Sequence, residues 1–274
     1  MQTIIITGAS DGIGAAAARQ LAGEGRRLVL VGRSAEKTRA VAAETRSVHH
    51  VADFTRLDDV RDLAQAFLRE CDRIDVLANN AGGIFAGPAR TVDGFEKTFQ
   101  VNHLAPYLLT YLLRDRLIAS RAAIVNTSSI GARLFGRIDL DDIQTWNRYR
   151  PNRAYGNAKL ANILFTKGLH NHFHDQGLSS VAFHPGNVAT SFASDTTSYF
   201  RWVYHSVLSR FLISPEQGGV TLAHFISGTP DATWASGAYY NDRRKIGRTN
   251  KQASDPAIVA QHWNLSAQLL DIAW

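Results

Sequence analysis

A single cysteine, Cys71, stands among 274 residues, which excludes an intrachain disulfide and fits a reducing compartment. No apolar run approaches the ~18 residues that a membrane-spanning helix needs, so no membrane anchor is expected. The first residues, Met1-Gln2-Thr3-Ile4-Ile5-Ile6, have neither the basic region nor the long apolar stretch of a secretory signal. Together these absences point to a cytoplasmic protein. The chain also lacks the excess charge and apolar poverty of a disordered protein, with 45% hydrophobic and 20% charged residues. No repeat, low-complexity linker or break in composition divides it, so residues 1–274 are expected to form one domain. The net charge of +6, from 30 basic and 24 acidic residues, admits a polyanionic partner. Yet the one concentrated basic stretch, Arg243, Arg244, Lys245, Arg248 and Lys251, carries no interleaved aromatics and no nucleic-acid motif. It reads as a solvated loop, and no nucleic-acid partner is expected.

Short β-rich runs at 3–7, 28–31, 48–52, 74–78, 122–126 and 180–183 read as strands. Helical patterns lie between them: an Ala-rich one to about Leu21, one capped by Ser34 and running to about Thr45, one over 57–71 and one over 153–174. A long helical stretch over 91–116 contains Pro106, which should bend or restart it. A helix over 215–226, a strand at 238–240 and a last helix opened by Asp255-Pro256 complete the pattern. Strands without polar alternation, separated by helices, predict an α/β fold: one doubly wound, Rossmann-type parallel sheet with helices on both faces.

The first strand runs directly into Thr7-Gly8-Ala9-Ser10-Asp11-Gly12-Ile13-Gly14 and then into a helix. Glycines at such a turn let the backbone approach a phosphate, and the helix N-terminus offers free N–H groups and its positive dipole end. A tight turn without a ligand is the plainer alternative. Gly8-Ala9-Ser10-Asp11-Gly12 also matches the G-x-S-x-G nucleophile elbow. Only nine residues precede Ser10, however, too few for the earlier strands and oxyanion loop of that fold, so a serine hydrolase using Ser10 is the remoter alternative. A Walker loop is excluded, because no Lys-Ser/Thr pair follows the glycines. Dinucleotide sites carry an acid for the adenosine ribose roughly 20 residues on. Here the second strand ends in Val31-Gly32-Arg33-Ser34, with an arginine where the acid would be. A guanidinium suits a 2′-phosphate, which argues for NADP(H) over NAD(H); an exposed arginine without a ligand is the other possibility.

Further motifs follow in order. Asn79-Asn80-Ala81-Gly82 follows the fourth strand, Asn102 lies in Val101-Asn102-His103, and Asn126-Thr127-Ser128-Ser129 ends the fifth. Tyr155-Gly156-Asn157-Ala158-Lys159 opens a helix, and His184-Pro185-Gly186-Asn187-Val188-Ala189-Thr190 follows the sixth strand. With the glycine turn, this series resembles the short-chain dehydrogenase/reductase family over nearly the whole chain. Lys159-Leu160-Ala161-Asn162-Ile163-Leu164-Phe165-Thr166, the long segment between Ser129 and Tyr155, and Trp263-Asn264-Leu265-Ser266 resemble its retinol-dehydrogenase-like subgroup, without the N-terminal anchor of its membrane-bound members.

Carbonyl reduction needs a hydride donor, a polarised electrophile and an acid for the developing alkoxide. A free tyrosine, with a pKa of about 10, is a poor base at neutral pH. Lys159 lies one helical turn beyond Tyr155 on the same face, so its ammonium can favour the phenolate. The resemblance implies that Tyr155 is the acid/base and that Lys159 lowers its pKa and binds the nicotinamide ribose. It further implies that Ser129 hydrogen-bonds the substrate oxygen, with Ser128 supporting the loop. Asn102 would hold a water in a proton relay from Lys159 to solvent, or else satisfy the backbone where the helix kinks near Pro106. Asp53 would accept from the adenine amine, or else cap the following helix. Gly8, Ser10, Asp11, Gly12, Ile13 and Gly14 would cradle the phosphates. Asn79, Asn80 and Gly82 would run along the cofactor, with one asparagine structural. Pro185 and Gly186 would shape the loop that presents Val188 and Thr190 to the carboxamide. The family also implies pairing of two copies through the helices that carry Asn102 and Tyr155.

The expected substrate walls are the segments 130–153 and 191–215, beyond the carboxyl ends of the strands. They hold Phe135, Trp146, Tyr149, Phe192, Tyr199, Phe200, Trp202, Tyr204 and Phe211. These aromatics suit an apolar carbonyl or alcohol, or alternatively a lid that packs them against the domain. His170, His172 and His174 lack a full ligand set, and no metal is expected. The expected protein is an NADP(H)-dependent oxidoreductase acting on an apolar carbonyl or alcohol. A catalytically silent dinucleotide-sensing protein is the alternative from another class.

Overall fold

The structure, a computed structural model, describes residues 1–188 and 213–274. The expected cofactor contact Thr190, most of the 191–215 segment and its six aromatics lie outside the described residues. Seven strands form one parallel sheet: β1 (Gln2–Thr7), β2 (Arg26–Gly32), β3 (Val48–Val51), β4 (Val76–Asn79), β5 (Ala123–Thr127), β6 (Ser179–Phe183) and β7 (Tyr239–Tyr240). Their order is β3-β2-β1-β4-β5-β6-β7. Both faces of the central strands are covered, which explains why they read as mainly apolar runs, while the edge strand β3 carries His49 and His50 and is partly exposed.

Side chains alternate between the two faces with the period of a strand. Ile4 and Ile6 pack with α1 (Gly12–Leu21), α2 (Ala35–Thr45) and α8 (Pro215–Ser227), whereas Ile5 packs with α3 (Leu57–Glu70), α5 (Ala105–Ala119), α7 (Pro151–Phe173) and α9 (Pro256–Leu269). The winding reverses between β1 and β4, where Ile6 stands opposite Ala78. The crevice beyond their carboxyl ends is where such sheets bind ligands. Among the described residues no helix is long and apolar enough to cross a membrane.

One expectation is corrected. The stretch over 91–116 is not helical from 91, because a turn absorbs its first residues. Thr91 and Gly94 hydrogen-bond within it, and Gly94 adopts φ +87. The helix begins at α4 (Lys97–Phe99), capped by Glu96, whose carboxylate accepts from the Thr98 and Phe99 N–H groups. It then widens into a π turn over Gln100–Leu104 before α5, with Pro106 in the first turn of α5. Proline brings no N–H to the carbonyl four residues back. The break therefore falls at Gln100–Leu104, just ahead of the proline.

The α7–α9 contact depends on one small residue. A β-carbon at Gly168 would collide with the Trp263 ring, which lies in a cluster with Tyr107, Phe165 and Trp274. Gly168→Ala is expected to destabilise the protein by ~1–3 kcal/mol through overpacking, despite the ~1 kcal/mol that alanine gains over glycine in a free helix. Urea unfolding with an unchanged m-value and a lower midpoint is the expected result; equal or greater stability would contradict this packing.

Candidate active site

The glycine turn is built around close approaches. A β-carbon at Gly14 would collide with the Gly8 carbonyl, and one at Gly8 would sit 2.8 Å from Ala81 Cα; Gly8 and Gly12 have φ of +68 and +55. The turn therefore lies flat against the 80–82 loop, leaving bare backbone at the start of α1. Asp11 caps that helix, with Oδ1 accepting from the Gly12 N–H at 2.8 Å and Oδ2 held 2.7 Å from Lys37 Nζ. Ser10 lies against Gly32, where a β-carbon would come within 3.0 Å of its Oγ. No histidine hydrogen-bonds it among the described residues. Arg33, next along β2, is exposed and makes no side-chain hydrogen bond or ion pair among the described residues. Lys37 and Arg33 thus mark the end of β2 as a positive edge, and Lys37 is a cation that motif reading alone passes over.

Thr7 locks the turn to β4. Its Oγ1 donates to the Ala78 carbonyl and accepts from the Asn80 and Ala81 N–H groups, all within 3.1 Å. Asn80 reinforces this by donating to the Thr7 carbonyl and accepting from Thr127 Oγ1. The Asn79 side chain, expected along the cofactor, is turned inward. It is buried, and its amide donates to Thr110 and Asn126. Asp53 forms a turn of its own, with Oδ1 accepting from the Thr55 N–H. It is not the helix cap, because α3 begins after Arg56.

Tyr155 and Lys159 share one face of α7, the ammonium 5.7 Å from the ring centroid. Lys159 is 2% exposed, and its Nζ donates to the Thr127 carbonyl at 3.1 Å. Burial pushes its pKa down to about 7. The Ser128 hydroxyl donates to the Lys159 carbonyl, which leaves Ser129 as the half-buried hydroxyl of the pair. Ser129 Oγ and the edge of the Tyr155 ring each lie 3.4 Å from where a Gly131 β-carbon would be, so they converge on one spot. A β-carbon at Gly82 would collide with Asn102 Oδ1 and lie 3.0 Å from Lys159 Nζ. Glycine there lets asparagine and lysine face each other. Within the π turn, the Asn102 amide donates to the Gly83 and Thr98 carbonyls and its Oδ1 accepts from the Gly83 N–H. Its side chain therefore satisfies backbone at the kink.

The loop after β6 closes the other side. Gly186 adopts φ +103 after Pro185, and Val188 bridges to Ile213. Val188 and Ile13 both abut Gly218 of α8, each about 3.0 Å or less from the site of its missing β-carbon. The glycine turn and this loop thus meet across the crevice.

Several positioning residues carry no motif signal. Asn162 donates to the same Thr127 carbonyl that Lys159 uses, and its Oδ1 lies 3.3 Å from buried His103, which also meets Ser266. Asn157 pins the expected substrate wall, accepting from the Arg137 N–H and donating to Thr145 Oγ1. In that wall, Trp146 lies under the Arg90 guanidinium and the Tyr149 hydroxyl lies 3.5 Å from Thr98 Oγ1. These two aromatics pack against the fold. Of the expected non-ligand histidines, His170 meets Ser236 and His172 stacks on Trp263.

Comparison with known proteins agrees with this geometry. The family model described as short chain dehydrogenase matches residues 2–199. A Streptomyces sp. (strain C5) protein provisionally named as a daunorubicin C-13 ketoreductase is 39% identical over 97% of this chain and 91% of its own. Mouse retinol dehydrogenase 12 is 36% identical over 100% of this chain and 87% of its own. A crystal structure of an uncharacterised Mycobacterium paratuberculosis protein superposes with a TM-score of 0.79 at 30% identity, covering 99% and 94% of the two chains.

Proposed function

The chain belongs to the short-chain dehydrogenase family, and from that premise we propose that it is an NADP(H)-dependent oxidoreductase interconverting an apolar carbonyl compound and its alcohol. The observation that carries this is the convergence of Tyr155, Lys159, Ser129 and Asn102 at the mouth of the crevice. The bare backbone at Gly8, Gly14 and Gly82, where β-carbons would crowd the fold, suits an extended dinucleotide. Gly8, Ser10, Asp11, Gly12, Ile13 and Gly14 would hold its phosphates and Asp53 its adenine. Asn80 and Gly82 would line its path, and Pro185, Gly186, Val188 and Thr190 would border the nicotinamide. When bound, the nicotinamide supplies or accepts the hydride.

The chain's own groups handle the oxygen and the proton. Ser129 Oγ donates to the substrate oxygen, and the Tyr155 hydroxyl gives its proton to the developing alkoxide. The Lys159 ammonium favours the phenolate left behind and would hold the nicotinamide ribose. Asn102 holds the Gly83 backbone, next to the Gly82 position that lies beside Lys159 Nζ. A cytoplasmic setting belongs to the same proposal and is supported by the lone, buried Cys71 thiol.

NADP(H) preference rests on Arg33, with Lys37 beside the same turn. Arg33→Ala is expected to lower kcat/KM for NADPH by roughly 10- to 100-fold, the scale of a hydrogen bond to a charged group, with little change for NADH. Lys37→Ala should act in the same sense but more weakly, since Asp11 already pairs with it. Steady-state kinetics with both cofactors checks this; an unchanged NADPH preference in Arg33→Ala would contradict it.

A further inference from the structure

Beyond Ser129 the fold leaves a cavity of about 620 Å³, within the range of small-molecule sites. Ile130, the residue after Ser129, forms part of its wall. The other walls come from the loop after β6, from β7 and from the hairpin that follows it. Three arginines line it, Arg133, Arg243 and Arg248, against one acidic residue, Asp242, all four exposed. None of the three arginine side chains makes a hydrogen bond or ion pair among the described residues.

Cations on a surface are ordinarily just solvated, but two features set these apart. The first is that the basic hairpin is fixed. Asn241 Oδ1 accepts from the Arg243 and Lys245 N–H groups, Tyr240 bridges to Ile246, and Gly247 donates to the Tyr239 carbonyl. That geometry puts Arg243 and Arg248 on the cavity wall, while Arg244 and Lys245 are not part of it. The second feature is an unanswered polar group. His184, 6% exposed, lines the cavity, and its Nδ1 has no hydrogen-bond partner among the described residues. A buried polar atom left so is uncommon. Burial pushes the His184 pKa down to about 4, so the imidazole is neutral, and it pushes the Tyr239 phenol on the same wall up to about 12, so that group stays a donor. Planar guanidiniums with neutral donors beside them match a carboxylate.

We propose that this cavity is an acid-recognising subsite, so that the preferred substrate has an apolar body around the reacting carbonyl and a carboxylate at its remote end. This rests on the oxidoreductase proposal for the turnover it describes, but binding tests it separately. The probes are 4-formylbenzoate and its methyl ester, which differ only in the charged group. Turnover with NADPH gives kcat and KM for each, and calorimetry gives their binding to the NADP⁺-loaded protein. The acid is expected to show KM and Kd lower by about tenfold or more, the scale of charge-assisted hydrogen bonding. The acid-to-ester ratio should collapse toward one in Arg133→Ala and in the Arg243→Ala/Arg248→Ala double variant. Both probes are measured on the same variant, so a folding defect affects both and leaves the ratio interpretable. Equal values for acid and ester in the unmodified protein, or a preference that survives both arginine variants, would overturn the subsite. Turnover of both probes without an acid preference would spare the oxidoreductase proposal while removing this one. Arginine-dependent binding of the acid without turnover would do the reverse.

Discussion

Tyr155→Phe is expected to lower kcat by about 10²- to 10⁴-fold, the range of a positioned general acid, while leaving NADPH affinity within about twofold. The substitution removes one oxygen and keeps the ring that packs beside Gly131 and Ser129. The 6% exposure of Tyr155 means that the ring, which phenylalanine retains, accounts for most of its packing. A loss confined to kcat therefore reports the proton and not the fold. Stopped-flow or steady-state rates, set beside fluorescence titration of NADPH, make the measurement. Full retention of activity would remove Tyr155 from the chemistry. No turnover in the unmodified protein, with NADPH still bound, would favour a dinucleotide-sensing role.

The second large effect concerns Lys159 and has two faces. Lys159→Met is expected to abolish measurable turnover and yet to stabilise the cofactor-free protein at neutral pH. Burial holds the ammonium at a pKa of about 7, against about 10.4 for a free lysine. Between those two values the unfolded chain binds one proton more than the folded chain, so the lysine's contribution to stability rises with pH across that window. Below about pH 7 its penalty is fully present; above about 10.4 it is gone. Methionine fills similar space without a charge. Allowing for relaxation around the buried group, the gain at pH 7 is ~2 kcal/mol or more, which corresponds to ~4 °C or more in Tm. The difference between variant and parent should shrink steadily from pH 7 to pH 10. Calorimetric melts of both proteins across that range check it; a variant equally or less stable at pH 7 would contradict the burial argument. The same desolvation explains why Thr127, through its carbonyl, and Asn162, which shares that carbonyl, matter to the site.

Most of the sheet was legible because β1, β2, β4, β5 and β6 are largely buried and appear as mainly apolar runs, whereas β3, Val48-His49-His50-Val51, is a partly exposed edge strand. Tyr155 and Lys159 were legible because their spacing is local, one helical turn. What the chain concealed depends on contacts distant in sequence. Asn157 reaches back to Arg137 and Thr145, and Asn162 reaches Thr127 and His103; no local pattern announces such partners. The start of the helix near 97 was hidden for another reason. Val92, Phe95 and Phe99 carry apolar groups at helical spacing, yet Gly94 takes a positive φ that no helix allows. The basic stretch after β7 reads as a solvated loop, and its cations are indeed exposed; what composition does not reveal is which of them border the cavity. The hairpin held by Asn241 decides that, placing Arg243 and Arg248 on the cavity wall. Likewise Asn79 and Asn80, adjacent in the motif, point to opposite surroundings because successive residues leaving a strand face opposite sides.

The most direct test of the account is to follow the hydride itself. NADPH deuterated at C4 on one face or on the other would be incubated in separate reactions with the protein and a panel of aldehydes and ketones that includes 4-formylbenzoate, and the alcohols analysed by mass spectrometry. The account predicts one deuterium on the carbinol carbon of at least one product, delivered from a single C4 face and lost in Tyr155→Phe. Alcohol formed without label from both cofactor epimers, or NADPH bound with no labelled product across the panel, would contradict it.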